Sequence, residues 1–298
     1  MRLKKKIRYT RNNMKWIWGI VLAFCIVACG TKRDKSKNVS VSILPQKYFV
    51  ERIAGDFVRV NVMIPPGANP AVSDLTSEQL KMLNNSSIYF AVGYLPFELT
   101  HIYSLLKDKK DILLIKHADA IELPEKELPT HRHGELESLD PHIWMSPAYA
   151  KQMAQTIRDV LIDRFPEEKS LFSENCDRFM QEIDSIDREA RRIILPKRHK
   201  LFLIYHPALT YFARDYGMEQ IAIEDEGKEP NPVHVKMIID RSREKGVRVV
   251  FIQSQFDEAN ARAIATEIGG EVIPIDPLNV DWKGEMNSLL KIIDQKMD

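Results

Sequence analysis

Residues 200–217 read KLFLIYHPALTYFARDYG, and residues 39–55 read VSVSILPQKYFVERIAG. Each opens on an apolar, β-branched run, Val39–Leu44 or Lys200–Tyr205. A proline follows (Pro45, Pro207), then an aromatic pair (Tyr48-Phe49, Tyr211-Phe212), then a glycine (Gly55, Gly217) and a second apolar run. Proline is tolerated in the first turn of a helix, and glycine is the usual residue just past its end. The spacing predicts strand, helix and strand at both places, with helices starting at the prolines. The next unit is shared as well. A helix around 76–84 leads to a strand at 87–92, and a helix around 233–245 leads to a strand at 247–252. Further runs at 58–64 and 112–115, and at 219–223 and 271–276, complete four strands in each half. Strand alternating with helix predicts an α/β protein of two lobes, each a parallel sheet covered by helices.

A long helical region separates the halves. Ser146-Pro147 opens one expected helix over 147–164, capped by the Ser146 hydroxyl. Pro166 interrupts, and 167–194 forms another. Its apolar positions are Leu171, Phe172, Phe179, Ile183, Ile186, Ala190 and Ile193–Ile194, one buried stripe. The expected division is 39–150 for the first lobe, 151–196 for the helical region and 197–298 for the second lobe.

The N-terminus carries a sorting signal. Arg2, Lys4, Lys5, Lys6, Arg8, Arg11 and Lys15 precede an apolar run from Trp16 to Ala28, with no acidic residue among them. That run is short of the ~20 residues a spanning helix needs, and a basic head with a short apolar stretch reads as a secretory signal. It ends Ile26-Val27-Ala28-Cys29-Gly30, which resembles the bacterial lipobox. Residues 1–28 are expected to be removed, Cys29 lipidated, and 30–38 left as a polar tether. Met14 offers an alternative start, since Met14 to Cys29 is a complete signal by itself. Without 1–28 the balance is 36 basic against 42 acidic residues, which argues against nucleic acid as a partner. Of three cysteines, Cys25 leaves and Cys29 is acylated. Cys176 is then alone, so neither an intrachain disulfide nor a cysteine metal site is available.

Among eight histidines, His101, His117 and His199 sit in polar or charged sequence and read as surface or structural residues. So does His234, at an expected helix start. His131 and His133 lie in an acidic loop. His142 differs, because Asp140-Pro141-His142-Ile143-Trp144-Met145-Ser146-Pro147 holds it between prolines beside an aromatic. His206 directly follows a strand, and Asp276 follows the strand at 271–275. Ligands in parallel α/β sheets bind beyond the carboxyl ends of strands. Two imidazoles and a carboxylate suit zinc, and with more oxygens manganese or iron(II).

These motifs resemble, over roughly 40–298, the metal-binding lipoproteins and periplasmic proteins that deliver zinc, manganese or iron to ABC importers, the ZnuA/TroA-like family. Pro66-Gly67-Ala68-Asn69-Pro70 is similar to its Gly-x-x-Pro-His loop, and Asp140–Pro147 to its most specific motif. His206–Gly217, Glu229-Pro230-Asn231-Pro232 and Asp276-Pro277-Leu278 follow in the same order. The resemblance implies two four-stranded lobes joined by a long backbone helix, with the metal in the cleft between them. It places ligands at Ala71, His142, His206 and Asp276. Ala71 departs from the pattern, which has histidine there, and the family's His-rich loop is reduced to His131 and His133. Three readings follow for Ala71. Water fills the place; Asp74, Ser73 or Gln46 substitutes; or the site is weakened and the chain serves otherwise, as an adhesion or scaffold lipoprotein. An open zinc position also permits hydrolysis, but no obvious general base adjoins these motifs. The implied role is therefore not enzymatic. It is a lipid-anchored, monomeric solute-binding protein of the periplasm or cell surface. It captures a divalent ion, zinc first, for an ABC permease and its ATPase.

Overall fold

The computed structural model describes residues 35–121, 130–133, 136–225 and 228–298. Ser36–Asp298 form one compact unit. The signal, Cys29 and most of the tether lie outside the described residues.

In the first half, β1 (Asn38–Val41), β2 (Arg59–Val62), β3 (Ile88–Ala91) and β4 (Leu113–Lys116) pair in parallel in the order β2-β1-β3-β4. A two-stranded antiparallel hairpin follows, β5 (Thr130–His133) with β6 (Leu136–Leu139). In the second half, β7 (Leu201–Ile204), β8 (Glu219–Ala222), β9 (Val249–Gln253) and β10 (Glu271–Ile275) pair in parallel in the order β10-β9-β7-β8. Counted within its own half, each sheet has the order second, first, third, fourth, so the repeat in the sequence is a repeat of topology. All eight strands of the two parallel sheets fall where the apolar runs predict them, and the hairpin β5-β6 lies in the stretch read as an acidic loop. The central β3 and β9 are buried along their whole length, which is why they read as unbroken apolar runs.

The helices are α1 (Leu44–Ala54), α2 (Ser77–Asn84), α3 (Tyr103–Leu106), α4 (Pro147–Arg164), α5 (Lys169–Ile194), α6 (Thr210–Asp215), α7 (Pro232–Lys245), α8 (Glu258–Ile268) and α9 (Trp282–Lys296). Pro45 sits in the first turn of α1 as expected. Pro207 does not begin α6, which starts three residues later. The Ala208 N–H instead bonds the His206 carbonyl at 2.7 Å and holds His206-Pro207 in a turn. Gly55 (φ 58°) and Gly217 (φ 64°) end these helices in a conformation that side chains resist. Ser146 caps α4, its Oγ accepting the Tyr149 N–H at 3.2 Å.

With 26 residues, α5 spans about 39 Å. Its buried stripe is Phe172, Cys176, Phe179, Ile183, Ile186, Ala190, Ile193 and Ile194. Leu171, expected on that stripe, is 38% exposed, and Cys176 takes the inward position instead. The helix packs on α1, α4 and α9, so it touches helices of both halves. At the junction Phe49 of α1 lies 5.1 Å from both Phe179 of α5 and Trp282 of α9, ring centre to ring centre, edge to face. Such pairs are favourable beyond the area they bury.

His117 corrects its local sequence. It sits between charged neighbours, yet it is fully buried just past β4 and stacks on Phe90 at 5.5 Å. Neither ring nitrogen has a hydrogen-bond partner among the described residues, and burial pushes its pKa down to about 3. A base kept neutral by folding binds fewer protons folded than unfolded. Its contribution is intact above the ordinary histidine pKa of ~6.5 and is lost as pH falls towards the folded value. Between about pH 7.5 and 5 this costs about 2 kcal/mol. Urea unfolding of His117→Leu at the two pH values should show a gap narrower by that amount; an unchanged gap contradicts the assignment.

Candidate functional site

In an open parallel sheet the crevice forms where the strand order reverses, beyond the carboxyl ends of the strands. Here those points lie between β1 and β3, and between β7 and β9. One cavity of about 40 Å³ receives the loops that leave these ends. Leu95 and Pro96 come from the loop after β3, and Ala71 from the loop after β2. His206 follows β7, Gln255 and Phe256 follow β9, and His142 enters from the segment before α4. Such a volume holds an ion and a few waters, far less than the 300–1,000 Å³ typical of organic-ligand pockets.

The two imidazoles face each other, with ring centres 5.1 Å apart. Each has a carboxylate behind it. His142 Nδ1 lies 2.7 Å from Asp140 Oδ1, which also accepts the His142 backbone N–H at 2.8 Å, and Asp140 is fully buried. His206 Nδ1 lies 2.9 Å from Glu224 Oε1, a carboxylate just past β8 and itself buried. A carboxylate at Nδ1 makes that nitrogen the donor and leaves the Nε2 lone pair as acceptor, the arrangement that metal-binding histidines use. Gln253 grips the His206 backbone from both sides. Its Oε1 accepts the N–H at 3.3 Å, and its Nε2 donates to the carbonyl at 2.7 Å. Phe256 stacks on the His206 ring at 5.4 Å.

The segment bearing His142 is fastened to the second half. Trp144 Nε1 donates to the Pro277 carbonyl at 2.7 Å, Trp282 Nε1 donates to the Trp144 carbonyl at 2.8 Å, and Tyr211 donates to the Asp140 carbonyl at 2.8 Å. His142 and His206 are thereby held on one framework, and the loops of the first half form the opposite wall.

Asp276 lies at the same edge, and the next residues, Pro277 and Leu278, line the cavity. Its carboxylate accepts the Leu278 N–H at 3.1 Å, and burial raises its pKa. Among the described residues no three His, Cys, Asp or Glu side chains are gathered to hold a metal ion. Ala71 does line the cavity, but the substitutes considered for it do not. Asp74 is 96% exposed and faces His101 at 3.7 Å. Ser73 bonds the Asn69 carbonyl. Gln46 is buried, its amide spent on Ser42, Ile43 and Phe90. The side chains of His131 and His133 lie outside the described residues. Glu224, Gln253 and Gln255 were not anticipated, although the strand-end rule that selected His206 applies equally to Glu224 after β8.

The family profile described as "Zinc-uptake complex component A periplasmic" matches residues 39–298. The chain belongs to the ZnuA family. That family consists of substrate-binding components of transport systems, not of enzymes. A solved structure described as ZnuA superposes with a TM-score of 0.80 at 34% identity, over 88% of this chain and 99% of its own. The high-affinity zinc uptake system protein ZnuA of Bacillus subtilis is 24% identical over 94% of each chain. The zinc-binding lipoprotein AdcA of Streptococcus pneumoniae is 26% identical over 89% of this chain, which spans 56% of that relative's length. The periplasmic zinc-binding protein TroA of Treponema pallidum shares the fold, with a TM-score of 0.77 at 18% identity.

Proposed function

We propose that this protein captures a divalent metal ion, zinc first and manganese or iron(II) after it, and delivers it to an ABC permease with its ATPase. The observation that carries this reading is the pair of imidazoles, each backed by a buried carboxylate and both facing a cavity of ion size. His142 and His206 would bind through Nε2. Asp276 would supply the carboxylate by exchanging the Leu278 N–H for the cation. Two imidazoles and a carboxylate are a competent zinc set with a position left open. Lipidation at Cys29 would hold a monomer near the membrane, in the periplasm or at the cell surface, raising its concentration there. On this reading the lobes are 39–150 and 197–298, joined through 151–196.

Zinc added to the stripped body should raise its stability by about 4 kcal/mol at 1,000 times the dissociation constant. Thermal unfolding with zinc, manganese and iron(II) checks this. No shift with any of the three would end the uptake reading.

A further inference from the structure

We propose that the amide oxygen of Gln255 completes the coordination of the captured ion, in the place that Ala71 leaves without a ligand. The inference rests on the metal-capture reading above. Besides the two histidines, three amide side chains line the cavity, Asn69, Gln253 and Gln255, and the Trp144 Nε1–H is taken by the Pro277 carbonyl. Two of the amides are committed. Asn69 Oδ1 accepts the Ala71 N–H at 2.8 Å. Gln253 spends its oxygen and its nitrogen on the His206 backbone. Gln255 is not tied to the backbone in this way among the described residues.

Its placement is fixed nonetheless. The Phe256 N–H bonds the Gln253 carbonyl at 3.1 Å and closes a tight turn. One end of that turn grips the His206 main chain, and the other stacks on the His206 ring. Gln255 stands between these two anchors, in the wall of the cavity that Ala71 also lines. An amide carbonyl is a neutral oxygen donor. Compared with an imidazole it should hold zinc less tightly and disfavour manganese less, since oxygen ligands suit manganese.

The test is a double-mutant cycle on the soluble body, titrated with zinc and with manganese, with the melting temperature of the stripped protein followed for every variant. Gln255→Ala should weaken zinc binding about tenfold or more, without lowering the melting temperature. Ala71→His offers an imidazole from the opposite wall. In that background Gln255→Ala should cost about twofold or less, because the place is already filled. Gln255→His, which needs no change at Ala71, should tighten zinc and leave manganese behind. Unchanged affinity in Gln255→Ala overturns the proposal. So does an equal loss in both backgrounds, which would make Gln255 a part of the wall only. These results leave the capture reading standing if the wild-type body binds and His206→Ala does not. If the wild-type body binds none of the metals, both fall together.

Discussion

His206→Ala is expected to weaken zinc binding by at least ~100-fold, more than any other single change in the cavity. The substitution removes one of the two imidazoles that line the cavity among the described residues. It also leaves Glu224, whose side chain is 6% exposed, facing an empty space where its partner stood. A buried carboxylate stripped of its partner is costly to the fold as well, so the melting temperature of the stripped variant should fall. Glu224→Gln separates the two effects. It keeps the imidazole and an oxygen near Nδ1 but removes the charge, and outer partners of this kind typically contribute 10–100-fold in metal affinity. Titration calorimetry on both variants measures the difference. Full affinity in His206→Ala would remove the site assignment.

Trp282→Ala carries the largest expected cost in stability, about 3–5 kcal/mol. The indole is 1% exposed and packs edge to face on Phe49 at 5.1 Å and on Phe179 at 6.2 Å. Those rings belong to α1 and α5, so the cavity left behind would open where both halves meet the long helix. The Trp144 carbonyl would lose its donor as well. That carbonyl lies two residues from His142. Zinc affinity should therefore fall with stability, although Trp282 is not among the residues lining the cavity. Urea unfolding with and without zinc reads both effects. A loss under about 1 kcal/mol would mean that the aromatic junction is not where the halves are held together.

The strands were legible because their apolar runs are short, rich in β-branched residues and bounded by Pro and Gly. The repeat was legible because each half spells the same order of elements. Three features were not, each because a non-local contact decides it. Glu224 reaches His206 only through the pairing of β7 with β8. His117 reads as polar beside Lys116 and Asp119, yet its strand end carries it under Phe90. Ala71 could be recognised as a missing ligand, but the nearby substitutes Ser73 and Asp74 are engaged elsewhere. Gln255, which lines the same cavity, comes from the other half of the chain. Asp276 shows the opposite limit: its place at the edge was readable, but the turn it makes with Leu278 was not.

Metal analysis after competition bears most directly on capture of an ion between the lobes. The body, residues 36–298, is stripped, incubated with equal zinc, manganese and iron(II), freed of unbound ions and assayed for metal content. The structure predicts one ion per chain, chiefly zinc, and none in the His142→Ala, His206→Ala double variant. A wild-type body that emerges without metal, or a double variant that retains as much as wild type, would contradict the account.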